Sequence, residues 1–128
     1  MKVLLDTCTF LWICEGSSEL SEESRALHSD PANEVHLSAV SAWEIAVKYA
    51  LGRLALPEPP ASWVPRQRQR HLIAALSVDE AAVLTLPLLP ELHRDPFDRM
   101  LVCQAIVGGM TIVTPDSAIR AYPVPTRW

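Results

Sequence analysis

Four acidic side chains, far apart in the sequence, are the residues best suited to chemistry if the fold brings them together. Clustered carboxylates repel one another unless cations neutralise them. A ligand set made only of carboxylate oxygens favours Mg²⁺ or Mn²⁺, and the sequence has no His/Cys spacing typical of zinc. These acids therefore suggest chemistry with a divalent cation; they are Asp6, Glu44, Asp98 and Asp116.

Each acid also has an ordinary structural interpretation that the sequence leaves open. Asp6 and Asp116 could be helix N-caps, a common use of Asp after a strand. Glu44 could belong to a capping box with Ser41, although the predicted helix begins before Ser41. Asp98 could simply be favoured near a positive helix end. Against these interpretations, a Glu buried in an apolar stripe costs roughly several kcal/mol unless it is paired or bound to metal.

The stretch HRDPFDRMLVCQA, residues 93–105, combines a charged cluster with a predicted helix. Pro96 suits the first helical turn, and Asp98 follows in that turn. Asp95 stands just outside the helix. Polar clusters on loops are associated with function. The apolar helix face is predicted to hold Phe97, Leu101, Val102 and Ala105, and the same turn is crowded by His93, Arg94 and Arg99.

Predicted strands and helices alternate along the chain, which is typical of an α/β fold. Strands are expected at 2–6, 34–38, within 72–78, 110–114 and, at an edge, 123–125. Helices are expected at 7–15, after the Ser21 cap, at 39–51, 61–70 and 79–86, and from Pro96 to Gly108-Gly109. Alternation of this kind predicts a mostly parallel sheet of four or five strands with helices on both faces.

The predicted sheet gives the acids a meeting place. Ligands in such folds bind at the carboxyl ends of the strands, where the strand order changes direction. If the first and fourth strands are neighbours, all four acids could converge there. Glu44 would point inward from helix 39–51, within the apolar stripe predicted for it: Val40, Trp43, Val47 and Leu51.

Composition sets the broad class. The 128 residues suit a single domain, 1–128, and 49% hydrophobic residues argue against global disorder. No apolar run approaches the ~18 residues of a membrane span, and the N-terminus lacks a signal-peptide pattern. The three cysteines, an odd number without CxxC, suit a reducing compartment. We therefore expect a cytoplasmic protein that makes no membrane contact, with Cys8, Cys14 and Cys103 buried.

The net charge of −4 at first argues against a nucleic-acid partner. However, setting aside four site acids from the fifteen acidic residues leaves eleven, which equals the eleven lysines and arginines. The outer surface would then be about neutral, with room for basic patches. A solvated helix face is an equally good interpretation of the arginines in 66–70. Other basic candidates are Lys48, Arg53, Arg94 and Arg99.

Several motifs together resemble one family. They are LLDT (4–7), LSAVSAWEIAVKYALGRL (37–54), LP (89–90) followed closely by HRDPFDRMLVCQA (93–105), and TIVTPD (111–116). In order and spacing these segments resemble the PIN-domain ribonucleases, specifically the toxins of VapBC-type toxin–antitoxin pairs. The resemblance spans nearly the whole chain. It is weakest over the proline- and arginine-rich segment 57–70.

The resemblance implies a PIN-like fold and hydrolysis of RNA phosphodiester bonds with Mg²⁺ or Mn²⁺, leaving a 5′-phosphate and a 3′-hydroxyl. It also implies a cognate antitoxin partner, and a homodimer or a higher assembly with the antitoxin. The implied metal-binding and catalytic acids are Asp6, Glu44, Asp98 and Asp116, with Asp95 as a second-tier acid. Residues that could contact substrate are Arg94, Arg99, Lys48, Thr7 and Thr114.

A different class of function stays open beside this one. The chain could be a catalytically silent PIN-like module, whose acids only attract a basic partner such as the antitoxin. Two other acid-lined α/β proteins are disfavoured. A receiver domain would need a lysine where Thr114-Pro115 stands, and a haloacid-dehalogenase-type phosphatase would need an acid at Cys8. No motif names the RNA that would be cut.

Overall fold

A five-stranded parallel sheet carries the fold in the computed structural model, which describes residues 1–128. Every neighbouring pair of strands is parallel, and the spatial order is β3-β2-β1-β4-β5. The predicted parallel α/β sheet is therefore confirmed. The first and fourth strands are neighbours, which is the condition for the four acids to converge. The strands are β1 (Lys2–Leu5), β2 (Glu34–Ser38), β3 (Ala74–Leu76), β4 (Thr111–Val113) and β5 (Thr126–Arg127).

Seven α-helices connect the strands, and a short 3₁₀ turn, Leu86–Leu88, follows the fifth helix. The local signals act as expected: Ser21, Ser38 and Asp79 cap helices with their side chains, and Gly16 ends the first helix in a left-handed conformation. The helices are α1 (Thr7–Glu15), α2 (Glu22–Ser29), α3 (Ala39–Ala50), α4 (Pro60–Arg70), α5 (Glu80–Thr85), α6 (Pro96–Gly108) and α7 (Ser117–Arg120).

Two hydrophobic cores lie on the two faces of the sheet. Side chains alternate along a strand, so Val3 and Leu5 of β1 face one core and Leu4 faces the other. Helices α1, α2 and α4 cover the first core, where Phe10 meets Trp63 edge to face. Helices α5, α6 and α7 cover the second core. Burial on both faces explains why β1 is almost wholly apolar.

The strand order changes direction between β1 and β4. The chain runs outward from β1 through β2 to β3, then crosses back to place β4 on the other side of β1. Leu5 and Val113 are in register, and the Asp6 N–H donates to the Val113 carbonyl at 3.3 Å. The residues that follow the two strands, Asp6 and Thr114, therefore lie side by side at the crevice where this type of sheet binds ligands.

The predicted buried face of α3 is wrong. Trp43, Val47 and Leu51 are 56%, 36% and 61% exposed, and Val40 is the one member of the predicted stripe that is buried. Helix α3 contributes to both cores, with Ile45 in the first and Val40 in the second. Its buried residues are Val40, Ser41, Glu44 and Ile45.

The final strand also differs from its prediction. It is formed by Thr126–Arg127 rather than 123–125. Prolines lack the N–H that a ladder needs, so Pro125 contributes only its carbonyl, which accepts from the Ile112 N–H at 3.0 Å. Of the cysteines, Cys103 is buried as expected, whereas Cys8 and Cys14 are half-buried. None of the helices combines the length and apolar character needed to cross a membrane.

Candidate active site

A cleft of about 370 Å³ opens at the carboxyl ends of β1 and β4. The structure brings all four predicted acids into this cleft, although they come from four different parts of the chain. Two basic side chains, Lys48 and Arg53, line it as well. The acids that line it are Asp6, Glu44, Asp98, Asp116 and the second-tier Asp95.

Helix starts position most of the acids. Asp6 caps α1, where its Oδ1 accepts from the Thr7 N–H at 2.7 Å, and Asp116 caps α7, where its Oδ1 accepts from the Ala118 N–H at 2.9 Å. Asp95 caps α6 and accepts from the N–H groups of Phe97 and Asp98. Asp6 and Asp116 thus cap helices and also line the cleft. Their interpretations as N-caps and as site residues are therefore compatible.

Glu44 enters the cleft from the middle of α3 instead. It is only 7% exposed, and its Oε2 accepts from Lys48 Nζ at 2.6 Å, one helical turn further along. The pair confirms that this buried glutamate is charge-compensated, as the cost of burying a lone carboxylate demands. Its partner Lys48 is half-exposed, so the ammonium group faces the mouth of the cleft.

Hydrogen bonds leave several carboxylate oxygens free. Asp6 Oδ2 accepts from the Thr114 hydroxyl at 2.7 Å, and Asp98 Oδ2 contacts His93 Nε2 at 3.2 Å. Oδ1 of Asp98, Oδ2 of Asp116 and Oε1 of Glu44 accept no hydrogen bond from the protein. Three of the four acids therefore keep an oxygen available to a bound group.

The cleft carries more negative charge than its own cations balance. Burial, together with the negative charges of Asp6, Asp95 and Asp116, raises the pKa of Asp98 to about 7, although the hydrogen bond from His93 opposes the shift. Burial also raises the pKa of Asp6, and the charge of Glu44 adds to the effect. Ionised carboxylates at these positions are stabilised by an added cation.

Lys48 responds to the same field. Its pKa is raised chiefly by the hydrogen bond to Glu44, with Asp95 and Asp98 contributing through their charges.

Cys8, which lines the cleft, is an unsuitable nucleophile. Burial and the adjacent Asp6 charge raise the pKa of its thiol to about 12, so the reactive thiolate is not formed near neutral pH.

The donor chemistry fits Mg²⁺ or Mn²⁺, because carboxylate oxygens are the ligands these hard cations prefer. No group of three or more His, Cys, Asp or Glu side chains is already arranged around one metal position. Hydrogen-bonding partners hold three of the acids: Lys48 holds Glu44, His93 holds Asp98 and Thr114 holds Asp6. The cleft therefore contains oxygen donors suited to Mg²⁺ or Mn²⁺, but these oxygens are not arranged around a single metal position.

The residues suggested for substrate contact divide into three groups. Thr7 and Lys48 line the cleft. Thr114 is fully buried behind Asp6 and does not reach the surface. The structure places Arg94 and Arg99 in a separate hollow beside Glu91. Arg99 there donates to the Pro90 carbonyl and to Tyr122, and it does not line the cleft.

His93 is the contact to the acids that sequence reasoning did not assign. The sequence signal that could have identified His93 is its crowding with Arg94 and Arg99 at the start of one helix. However, the other ring nitrogen of His93 contacts Tyr122, 29 residues away, and no local pattern indicates that pairing.

Known proteins are similar to this chain in sequence and in fold. The chain is 48% identical over 65 residues to ribonuclease VapC16 of Mycobacterium tuberculosis, a match that spans 51% of this chain and only 46% of that protein. It is 29% identical over 124 residues to ribonuclease VapC22 of the same organism, covering 96% of this chain and 93% of VapC22.

The fold matches solved structures over its full length. VapBC2 from Rickettsia felis, solved bound to a DNA fragment from its promoter, superposes with a TM-score of 0.75 at 15% identity, covering 99% of this chain and 98% of the matched chain. At that identity the likeness concerns the fold alone. The PIN domain family model matches residues 3–125. Sequence, sheet topology and the extent of this match agree: the chain belongs to the PIN domain family.

Proposed function

We propose that this protein is a metal-dependent endoribonuclease that hydrolyses RNA phosphodiester bonds. The observation that carries the proposal is the convergence of four acids at the crevice between β1 and β4. The ribonuclease names of the relatives VapC16 and VapC22 support an RNA substrate. The catalytic and metal-binding residues in this proposal are Asp6, Glu44, Asp98 and Asp116.

The acids have distinct tasks in this reaction. Asp6, Asp98 and Asp116 hold the cation, which we take to be Mg²⁺ or Mn²⁺. Glu44 either completes the ligand set or accepts the proton of the attacking water. When bound, the cation supplies Lewis acidity that lowers the pKa of water and stabilises charge on the phosphate. Asp95 adds negative charge at the rim and fixes the first turn of α6 through its cap.

Two basic residues suit the phosphates of the substrate. Lys48 and Arg53 line the same cleft as the acids. Their positive charges can pair with RNA phosphates on either side of the cleaved bond, the interaction that dominates nucleic-acid affinity. Thr7 lies at the floor of the cleft, where its hydroxyl donates to Ser41 at 2.9 Å. These contacts support a bound polynucleotide, whereas Arg94 and Arg99 lie outside the cleft.

We further propose that the protein is the toxin of a type II toxin–antitoxin pair, acts in the cytoplasm where its RNA substrate lies, and binds a cognate antitoxin. The matched structure of VapBC2 supports the antitoxin partner. A homodimer is supported by three exposed apolar side chains at steps of four residues, Trp43 and Val47 in α3 and Leu51 directly after it. A contiguous exposed apolar stripe is typical of an interface.

The test is cleavage of total cellular RNA by purified protein shown to be free of antitoxin. We expect cutting with Mn²⁺ or Mg²⁺ and none with EDTA, with 5′-phosphate and 3′-hydroxyl ends at the cut. Mapping those ends would identify the substrate. Absence of cutting with either cation would contradict the proposal and favour the catalytically silent binding module.

A further inference from the structure

A chain of hydrogen bonds runs from Arg99 to one of the cleft acids. Arg99 Nη1 donates to Tyr122 Oη at 2.9 Å, and Tyr122 Oη lies 2.8 Å from His93 Nδ1. His93 Nε2 in turn lies 3.2 Å from Asp98 Oδ2. The three residues behind Asp98 come from α6, from the segment after α7 and from the loop before α6. They meet only in the folded protein.

The donors in this chain can be assigned from their chemistry. A guanidinium only donates, so Tyr122 Oη accepts from Arg99 and keeps its own hydrogen for another partner. The nearest partner is His93 Nδ1, at 2.8 Å, which accepts this hydrogen when the ring carries its own hydrogen on Nε2. An ionised Asp98 also only accepts, so His93 Nε2 must carry the hydrogen that points to it. With Asp98 ionised, the neutral Nε2–H tautomer of His93 satisfies every contact in this network.

Packing and hydrogen bonds hold Tyr122 and Arg99 in place within this network. Tyr122 is 3% exposed within the core formed by α5, α6 and α7. Its ring centroid lies 5.3 Å from that of His93, and the Arg99 guanidinium carbon lies 5.9 Å from its centroid. Arg99 is anchored a second time by the Pro90 carbonyl, at 3.0 Å. A side chain fixed from two sides loses little further freedom when it binds its partner.

We propose that His93, Tyr122 and Arg99 are positioning residues that hold the Asp98 carboxylate in the orientation needed to bind a divalent cation. This inference rests on the proposed function and adds three residues to it. The hydrogen bond occupies Oδ2 and leaves Oδ1 without a protein partner. Partners behind a metal ligand orient it, and their loss typically costs about 10–100-fold in metal affinity or activity.

The test compares Mn²⁺ binding, by calorimetry, in the purified wild type and in matched variants. We expect Tyr122→Phe and His93→Ala to weaken Mn²⁺ binding by about 10–100-fold. His93→Gln, whose amide can still donate to Asp98, should recover most of the affinity. Tyr49→Phe, the same change at the exposed tyrosine of α3, should bind as the wild type does.

A spectroscopic measurement separates positioning from a merely structural role. Two-dimensional ¹⁵N spectra of the histidine rings should show the Nε2–H tautomer for His93 in the wild type. They should show loss of that preference in Tyr122→Phe. A wild-type His93 with hydrogen on Nδ1 would overturn the inference. So would wild-type Mn²⁺ affinity in folded His93→Ala or Tyr122→Phe.

Asp98→Asn distinguishes this inference from the proposed function. If Asp98→Asn loses Mn²⁺ binding while the His93 and Tyr122 variants keep it, the positioning inference alone fails. If Asp98→Asn binds Mn²⁺ as the wild type does, the proposed metal site fails and the inference fails with it. Should Tyr122→Phe not fold, the pair His93→Ala and His93→Gln decides the question.

Discussion

An aspartate at a helix N-cap can serve two purposes with its two oxygens. One oxygen satisfies backbone N–H groups that the helix leaves unpaired, and the other stays available. Asp116 uses Oδ1 on the Ala118 N–H and keeps Oδ2 free, and Asp98 is steadied by the cap that Asp95 provides. Side chains fixed by capping hydrogen bonds lose little conformational freedom when they bind a cation. A helix N-terminus is therefore a favourable position for an aspartate that binds a metal ion.

Replacing Glu44 by Gln should separate metal binding from folding. The substitution removes a carboxylate donor, so we expect weaker Mn²⁺ binding by calorimetry. It also relieves repulsion of Asp6, while the lost ion pair to half-exposed Lys48 is worth only about 0–1 kcal/mol. The metal-free free energy of unfolding should therefore stay within about 0.5 kcal/mol of wild type or rise.

Glu58 offers a matched control for that substitution. It pairs with Arg66 at 2.8 Å on the surface, outside the cleft. Glu58→Gln should leave Mn²⁺ affinity unchanged. A Glu44→Gln protein with wild-type Mn²⁺ affinity, or with a clearly lower melting temperature in EDTA, would count against Glu44 as one of a group of mutually repelling acids.

The metal-free protein should lose stability as the pH rises toward neutrality because of Asp98. Burial and neighbouring acids raise the pKa of Asp98 from 3.8 to about 7. Between those values the folded state binds the proton more tightly than the unfolded state, so protonation favours folding. The free energy of unfolding therefore falls across this range. Urea denaturation in EDTA should show a smaller fall in Asp98→Asn; equal slopes would contradict this expectation.

At the residue scale the sequence predicted which acids meet but not what else touches them. Residue type and position after predicted strands were enough for Asp6 and Asp116. The partners of the acids depend on long-range contacts: Thr114 bonds Asp6 across 108 residues, and Tyr122 reaches His93 across 29. The charge of Arg99 is visible in the sequence, whereas its hydrogen-bond partner, Tyr122, is not.

Helix α6 positions the site from its first turn and ends sharply at its last. Gly109 follows the helix with φ +63, and a Cβ there would have open space around it but a strained backbone. Gly109→Ala should therefore lower the free energy of unfolding by about 1–2 kcal/mol in urea denaturation. The strain comes from the left-handed conformation alone.

Gly108 is the natural comparison, because it precedes Gly109 and is still helical. A Cβ there would meet the Met110 side chain at 3.4 Å, an ordinary contact. Gly108→Ala should leave stability unchanged or raise it by about 0.4–1 kcal/mol, because alanine restricts the unfolded chain. If both variants were equally stable, the left-handed cap would not be what ends α6.

At the element scale, capping and breaking residues located nearly every helix and strand. The buried face of α3 was the main failure, for a physical reason. Periodicity assumes that the apolar stripe of a helix faces the core. Helix α3 instead divides its buried residues between the two cores and places Glu44 in the cleft. Trp43 is left exposed against Phe97, with ring centroids 4.7 Å apart.

The whole molecule presents that exposed stripe beside its cleft. Leu51, 61% exposed, extends the stripe of Trp43 and Val47. If this surface forms the homodimer, the wild type should elute at twice the chain mass in size-exclusion chromatography with light scattering. Leu51→Glu should shift it to a monomer, because a buried charge opposes association.

Leu72 provides the matched control for the dimer. It is also an exposed leucine, at 89%, but it precedes β3 at the amino ends of the strands, away from the cleft. Leu72→Glu should leave the assembly unchanged. A wild type that is monomeric at all concentrations, or a Leu51→Glu protein that stays dimeric, would show that the stripe has another role.

The most direct test of the central claim is RNA cleavage by Asp98→Asn beside the wild type, with Mn²⁺ and with EDTA. Asp30→Asn is the control: Asp30 is exposed and bonds the Ala32 N–H through Oδ1, an acceptor that asparagine retains. We predict cutting by the wild type and Asp30→Asn with Mn²⁺ only, and none by a folded Asp98→Asn. Full cleavage by folded Asp98→Asn, or cleavage that persists in EDTA, would contradict the assignment of these acids to a metal-dependent ribonuclease site.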